Sequence, residues 1–192
     1  MRIKALNRDE MTQAQREVVA AAIAGKRGTA PPPLLAWLQS PEMAQRAQHL
    51  GEFVRYQTLL PPHLSELAIL VTARFWTSHY EWYAHKRESL KAGVDPAVID
   101  AIANRETPRL DDLKARVVYE FSRALHETHG VPQPLFSEAM EALTEQGVVE
   151  LIGILGYYTL ISMTLNAFEI GLPEGEKLEL EAFVEVPPAL EP

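Results

Sequence analysis

The chain of 192 residues contains no cysteine. This absence excludes disulfide bonds, thiolate metal sites and every thiol-based redox mechanism, and it is compatible with the reducing cytoplasm, where we expect the protein. Basic residues are also few, because 18 Lys and Arg stand against 26 Asp and Glu, for a formal net charge of −8. No basic tract is present to neutralise phosphates, so we expect no nucleic-acid partner.

Long apolar runs are scarce. Charges interrupt the first 20 residues, which lack the apolar core of a signal peptide. The 18 residues from Leu151 to Phe168 carry no charge, which is close to the length that spans a bilayer. They include Tyr, Thr, Ser and Asn, and glutamates rather than basic residues flank them. We therefore expect a buried core helix and no membrane partner.

No segment alternates between apolar and polar residues as a half-buried strand would. Pro and Gly instead separate stretches of helical composition. The stretch 63–91 lacks both residues and forms either one long helix or two abutting ones. The predicted helices cover 7–24, 41–56, 63–91, 96–102, 110–129, 137–146 and 148–170.

The predicted fold class is therefore all-α, as a single helical domain over residues 1–192. Within it, residues 1–32 form an N-terminal helix and a Pro-rich loop. Residues 173–192 form an acidic tail that is either disordered or draped over a neighbouring surface.

A group of polar residues interrupts the apolar segment in the middle of the chain. On a continuous helix, Glu66, Arg74, Ser78, Glu81 and His85 share an arc of about 120°. Charged groups on so apolar a helix are costly unless they meet one another or a ligand. Buried, coupled carboxylates and imidazole are also the means by which proteins shift pKa values toward neutrality. The pattern predicts a catalytic site at Glu66, Ser78, Glu81 and His85.

Plainer interpretations stand beside this one. Ser78-x-x-Glu81 is also a capping box, in which Ser78 begins a helix after a kink. Arg74 could form a simple ion pair with a glutamate, and His85 could be a core histidine bonded to a carbonyl. Glu66, Glu81 and His85 are also metal-ligand types, but their spacing matches no metal motif. We therefore predict no metal site.

The pattern Glu66-x11-Ser78-x2-Glu81-x3-His85 resembles the core of the carboxymuconolactone decarboxylase and alkylhydroperoxidase-D superfamily. In the peroxidase branch the pattern is Glu, then Cys-x-x-Cys, then His, so Ser78 and Glu81 occupy the two cysteine positions. The sequence Tyr-Glu-Trp-Tyr-Ala-His of residues 80–85, followed by Ala-Gly-Val, is similar to the cysteine-free, decarboxylase-like branch. Flanking segments extend the resemblance to roughly residues 33–175.

The resemblance implies an AhpD-like helical bundle that assembles as a homo-oligomer, with a trimer or hexamer favoured and a dimer possible. In the peroxidase branch the cysteine pair is the reactive centre. A serine and a carboxylate cannot cycle through a disulfide, which excludes that activity here. The decarboxylase branch acts on lactone acids without a metal or organic cofactor, so the resemblance implies a small acidic substrate and no cofactor.

Decarboxylation of a γ-carboxy lactone needs a proton delivered to carbon. His85 could supply it as general acid, with Glu81 or Glu66 holding its tautomer. An arginine could hold the substrate carboxylate, and a tyrosine could donate to the carbonyl oxygen. The predicted substrate-binding residues are Arg55, Arg74, Tyr80, Trp82, Tyr157 and Asn166. Enolisation or lactone hydrolysis would use the same groups, and a non-catalytic, ligand-binding helical oligomer is the alternative.

Overall fold

The computed structural model of the protein describes residues 2–181. Over this range the chain forms eight α-helices and a three-residue 3₁₀ turn, with no β-strand, so the all-α prediction is confirmed. The helices are α1 Gln13–Ala24, α2 Pro32–Trp37, α3 Pro41–Tyr56, α4 Pro62–Phe75, α5 His79–Lys91, α6 Pro96–Ala103, α7 Leu113–Thr128 and α8 Gln133–Ala167.

Helix α4 lies at the centre of the fold. Every residue from Leu64 to Arg74 is buried, and α5, α7 and α8 all pack against this helix. Its Leu, Ile, Val and Ala residues cover nearly the whole circumference, and a helix of that kind is stable only inside a protein. Glu66 and Arg74 are carried into the interior with it, where an unpartnered charge is costly.

The stretch 63–91 forms two abutting helices. Between them Thr77 has a φ of 46°, a left-handed conformation that is rare for a β-branched residue. Ser78 occupies the N-cap position of α5, but its side chain makes no capping hydrogen bond. Glu81 contacts His85 instead of the N-cap backbone. The kink needed for the capping-box interpretation is therefore present, but the capping box is not.

Helix α8 consists of two helical segments joined at Thr144, which has a φ of 69° and a ψ of 166°. The sequence predicts the break at Gly147, three residues later. Gly147 instead lies inside the second segment, and its N–H donates to Thr144 Oγ1 at 3.4 Å. The side-chain hydroxyl of Thr144 thus caps the second segment.

By length and composition α8 could cross a membrane, and 61% of its most apolar window is buried within the protein. The core helix of a soluble protein has the same two properties.

The N-terminal helix begins later than predicted. Thr12 and Gln15 form a capping box, in which Gln15 N donates to Thr12 Oγ1 and Thr12 N donates to Gln15 Oε1. This cap starts α1 at Gln13, whereas Asn7 precedes only the 3₁₀ turn. The predicted Pro-rich loop also ends early, because Pro32 and Pro33 occupy the first turn of α2, where their missing N–H groups cost nothing.

The acidic segment that follows α8 packs on α5. Glu176 accepts hydrogen bonds from Tyr83 Oη at 3.0 Å and from Arg87 Nη2 at 2.9 Å. Glu179 accepts from Trp82 Nε1 at 3.3 Å and forms an ion pair with Lys86. The part of the tail around Glu176 and Glu179 is therefore draped over the helix that carries Glu81 and His85. The rest of the predicted tail, residues 182–192, lies outside the described residues.

Candidate active site

His85 lies between two carboxylates. Its Nδ1 is 2.6 Å from Glu66 Oε2, and its Nε2 is 3.0 Å from Glu81 Oε1. All three side chains are buried. When both ring nitrogens carry a proton, each N–H donates a charge-assisted hydrogen bond to a carboxylate oxygen. The structure thus brings together three of the four predicted catalytic residues.

Packing between two helices, and not a shared helical face, assembles this trio. Glu66 comes from α4, whereas Glu81 and His85 lie one turn apart on α5, at positions i and i+4. On a continuous helix Glu66 and His85 would be about 28 Å apart along the axis. The continuous-helix geometry behind the predicted arc is therefore wrong. The break between the helices lets α5 pack beside α4 and closes that distance.

The two carboxylates stabilise the protonated form of His85. Burial is the largest single effect and lowers the pKa of His85, because a charged ring is poorly solvated inside the protein. The charges of Glu66 and Glu81 and their hydrogen bonds together outweigh burial and raise the pKa to about 9. At neutral pH the ring is therefore an imidazolium cation.

The trio borders a cavity of about 130 Å³, which we call the His85 cleft. Glu81 and His85 are on its wall, and Glu66 lies behind them. Three predicted substrate-binding residues also line it: Arg55, Tyr80 and Tyr157. The Arg55 guanidinium lies 3.8 Å from Glu88 Oε2. Beside the Glu81 carboxylate, the cleft therefore presents a guanidinium, tyrosine hydroxyls and a protonated imidazole, which are groups that can hold a small anion.

Two residues of the predicted arc do not reach the cleft. Arg74 lies two turns beyond Glu66 on α4, about 12 Å along the axis, and it lines a different cavity. It forms an ion pair with neither Glu66 nor Glu81; its Nη1 donates to Thr77 Oγ1 at 3.1 Å. The Ser78 hydroxyl is fully buried at the helix break, away from the wall of the cleft. Neither residue therefore lines the His85 cleft.

Two predicted binding residues are also elsewhere. Trp82 is 1% exposed and belongs to the core, and its Nε1 donates to Glu179 in the segment after α8. Asn166 is exposed, and its Nδ2 donates to the carbonyl of Trp76 at 2.8 Å. Trp82 points away from the cleft because its helix neighbours, Glu81 and His85, take the face toward α4 and α8.

Sequence reasoning missed Tyr158. Its ring packs edge-on against His85, with 4.9 Å between ring centroids and an interplanar angle of 81°. Its hydroxyl is buried without a hydrogen-bond partner among residues 2–181, and it lines the His85 cleft. Burial, the largest effect, raises the pKa of Tyr158. Buried hydroxyls are normally hydrogen-bonded, so an unpartnered one beside a cleft is a candidate donor to a ligand. The available signal was the Tyr-Tyr pair within the uncharged stretch 151–168.

The N-terminal loop was missed as well. Arg27, Thr29 and Pro31 of the loop, together with Pro33 at the start of α2, form one side of the His85 cleft, although the resemblance begins only near residue 33. Burial, the larger effect, raises the pKa of Tyr157, and the nearby charge of Arg27 lowers it. The loop therefore adds a second cation to the cleft.

Gly51 makes room for Tyr157. A Cβ atom on Gly51 would lie 2.1 Å from Tyr157 Oη, far inside any real contact. Tyr157 in turn packs edge-on against Trp37 and Tyr158. A glycine at this point of α3 thus allows the Tyr157 hydroxyl to reach the cleft.

Across the described range, 2–181, no group of three or more His, Asp and Glu side chains is arranged to hold a metal ion. In the trio itself both ring nitrogens of His85 face carboxylate oxygens, which leaves neither nitrogen directed at a metal.

Comparison with protein-family models gives no match to the chain, and comparison with curated proteins gives none either. The chemistry of the His85 cleft must therefore carry the assignment of function.

Proposed function

We propose that the protein is a cofactor-independent enzyme that decarboxylates, or otherwise transfers a proton to, a small lactone or aromatic-catabolite carboxylic acid. What supports this function is His85, held as a cation between Glu66 and Glu81 at the wall of a cleft that also contains Arg55. The resemblance to the carboxymuconolactone decarboxylase branch suggests the reaction, and a homo-oligomer, trimeric or hexameric, belongs to the same proposal.

Substrate recognition is assigned to groups on the cleft wall. Arg55 and Arg27 would attract and hold a carboxylate, since guanidinium groups form strong charge-assisted pairs with carboxylate oxygens. The hydroxyls of Tyr80, Tyr157 and Tyr158 can donate to a carbonyl oxygen. Such a donor is most valuable when negative charge develops on that oxygen during the reaction.

The proposed decarboxylation needs no cofactor to accept the electron pair that the departing carboxylate leaves behind. The bond between the lactone carbon and its carboxylate breaks, carbon dioxide leaves, and the electron pair passes into the conjugated lactone carbonyl to form a dienolate. A tyrosine hydroxyl stabilises the enolate oxygen. The pair of His85 and Glu81 then delivers a proton to carbon, and solvent returns one proton to the pair.

Glu66 and Glu81 have different roles in this proposal. Glu66 lies behind the wall and accepts from Nδ1 of His85, so it is a positioning residue that fixes the ring and favours its charged form. Glu81 is on the wall beside Nε2, where it can pass a proton between the ring and the substrate.

The test is carbon dioxide release from γ-carboxymuconolactone, with the reaction repeated in ²H₂O to detect deuterium at the protonated carbon. His85→Gln should abolish turnover, and Arg55→Gln should weaken substrate binding by about tenfold or more. Arg46→Gln is the matched control, because Arg46 is on the same helix in an exposed ion pair with Glu42. Equal turnover by the wild type and His85→Gln would overturn the proposal.

A second candidate is a helical oligomer that binds a small acid without turning it over. The observation in its favour is that both ring nitrogens of His85 are already occupied by carboxylates, which is also how a protein stabilises a buried histidine. Saturable binding of the lactone acid at Arg55 with no carbon dioxide release would favour this candidate.

A further inference from the structure

A second cavity, which we call the Arg74 cavity, lies at the other end of α4. It has a volume of about 70 Å³ and is bordered by α4, α7 and the turn after α6. Its apolar walls include Val71, Phe75 and Ile102, and Arg74 reaches it from α4. No wall residue of the Arg74 cavity is shared with the His85 cleft. The two spaces are therefore separate sites.

Arg74 is a buried cation that forms no ion pair within residues 2–181. Arg74 is only 5% exposed, and its Nε is buried with no hydrogen-bond partner in the described part of the chain. Nη1 donates to a neutral acceptor, Thr77 Oγ1, at 3.1 Å. A guanidinium in this position normally pairs with a carboxylate or another anion, because burying its charge alone is costly.

A second guanidinium approaches the same acceptor. Arg105 Nη2 lies 3.4 Å from Thr77 Oγ1, so two like charges converge on one hydroxyl. Burial is the main effect that lowers the pKa of Arg74, and the charge of Arg105 lowers it further, whereas the charge of Glu181 raises it. The surroundings of Arg74 thus disfavour its charge, and a bound anion would compensate for this.

The remaining charged groups set the charge of the ligand. Arg123 binds Glu127 through two nitrogens, at 2.8 and 2.9 Å, so these two charges offset each other. Glu106 also lines the cavity and would repel a second negative charge. His126 stacks on Phe75 at 4.8 Å, and burial, the largest effect, lowers its pKa, so the ring is neutral at pH 7. One anionic charge is therefore preferred to two.

We propose that the Arg74 cavity is a second ligand site, which binds a small monocarboxylate. The carboxylate accepts from the free Nε of Arg74, and the short apolar body of the ligand lies against Phe75 and Ile102. This inference rests on residues outside the His85 cleft and does not depend on the function proposed above.

Each cavity contains one isoleucine that can report on it. Ile102 lines the Arg74 cavity and Ile161 lines the His85 cleft. The probe is butyrate, titrated at neutral pH into the full chain with ¹³C-labelled isoleucine methyl groups and followed by NMR. Butyramide, a neutral molecule of the same shape, is the control for charge, and inorganic phosphate is the control for a more highly charged anion.

We expect the Ile102 methyl resonance to shift saturably with butyrate and much less with butyramide or phosphate. Arg74→Gln should weaken the affinity read at Ile102 by about tenfold or more, while Arg55→Gln should leave it unchanged. Arg74→Lys keeps the charge but loses the Nε donor, so it should weaken the affinity for butyrate by less than Arg74→Gln does. It also provides a second variant if Arg74→Gln does not fold.

Three results would overturn the inference. They are an Ile102 resonance that does not respond to butyrate, an equal response to butyrate and butyramide, and an affinity that is unchanged in the Arg74 variants. Tighter binding of phosphate than of butyrate would overturn the assigned ligand charge. Ile161 reports the His85 cleft separately, so failure at one site is distinguishable from failure at the other.

Discussion

Raising the pH should destabilise the protein through deprotonation of His85. The pKa of His85 is about 9 in the folded protein, against an ordinary value of 6.5, because Glu66 and Glu81 favour the charged ring. A folded-state pKa above the unfolded value contributes stability that is fully present below pH 6.5. That stability is lost as the pH rises through about 9. The free energy of unfolding should therefore fall across this window.

The size of the effect follows from the difference between the two pKa values. One pKa unit corresponds to about 1.4 kcal/mol, so a shift of His85 from 6.5 to about 9 corresponds to about 3 kcal/mol of stability. This is a substantial share of the total for a domain of this size. Burial lowers the pKa values of His79 and His126, so their titration affects stability mainly at lower pH.

The assay is urea unfolding from about pH 6 to about pH 10 at one protein concentration, for the wild type and His85→Gln. The difference in unfolding free energy between them should shrink by about 3 kcal/mol over this range. His49→Gln is the control, because His49 is exposed on α3. Parallel pH curves for the wild type and His85→Gln would refute the assignment of a charged, carboxylate-bound ring.

Three further predictions concern packing, assembly and chemistry. Gly51→Ala should displace Tyr157 and lower the free energy of unfolding by about 1–3 kcal/mol. Gly156→Ala, on an open helix surface, should raise it by up to about 1 kcal/mol, and equal unfolding midpoints for the two variants would contradict this. Sedimentation at low micromolar concentration should show no dominant 21.5 kDa species, and a clean monomer would contradict the proposed assembly. Peroxide turnover should be absent with any electron donor, because the chain has no cysteine, and robust turnover by the unmodified protein would refute that reasoning.

Much of the fold is predictable from local signals. Ser40-Pro41 and Asp95-Pro96 mark the starts of α3 and α6, because Pro at the first helical position leaves no N–H unsatisfied. The breaks at Thr77 and Thr144 are different, since no Gly or Pro occurs at either position. Packing of the flanking helices fixes their positions, and the sequence offers only indirect signals: Ser78-x-x-Glu81 beside the first break and Gly147 three residues after the second.

The candidate site was predictable in residue type more than in geometry. Glu66, Glu81 and His85 stand out as polar residues in an apolar segment, and they do meet. Arg74 has the same character but faces the other end of α4. The N-terminal loop reaches the cleft only through packing between distant segments, which neither spacing nor composition reveals.

The most direct test of the account is the titration of the His85 ring itself, followed by NMR with and without butyrate in the cleft. The ring should carry protons on both nitrogens at pH 7 and titrate with a midpoint near pH 9. Bound butyrate should raise this midpoint, because an anion beside the ring favours its charged form, and Arg55→Gln should remove the rise. A midpoint near 6.5 would contradict a His85 cation held between two carboxylates. A midpoint that is the same with and without saturating butyrate would contradict electrostatic coupling between the His85 ring and a ligand in the cleft.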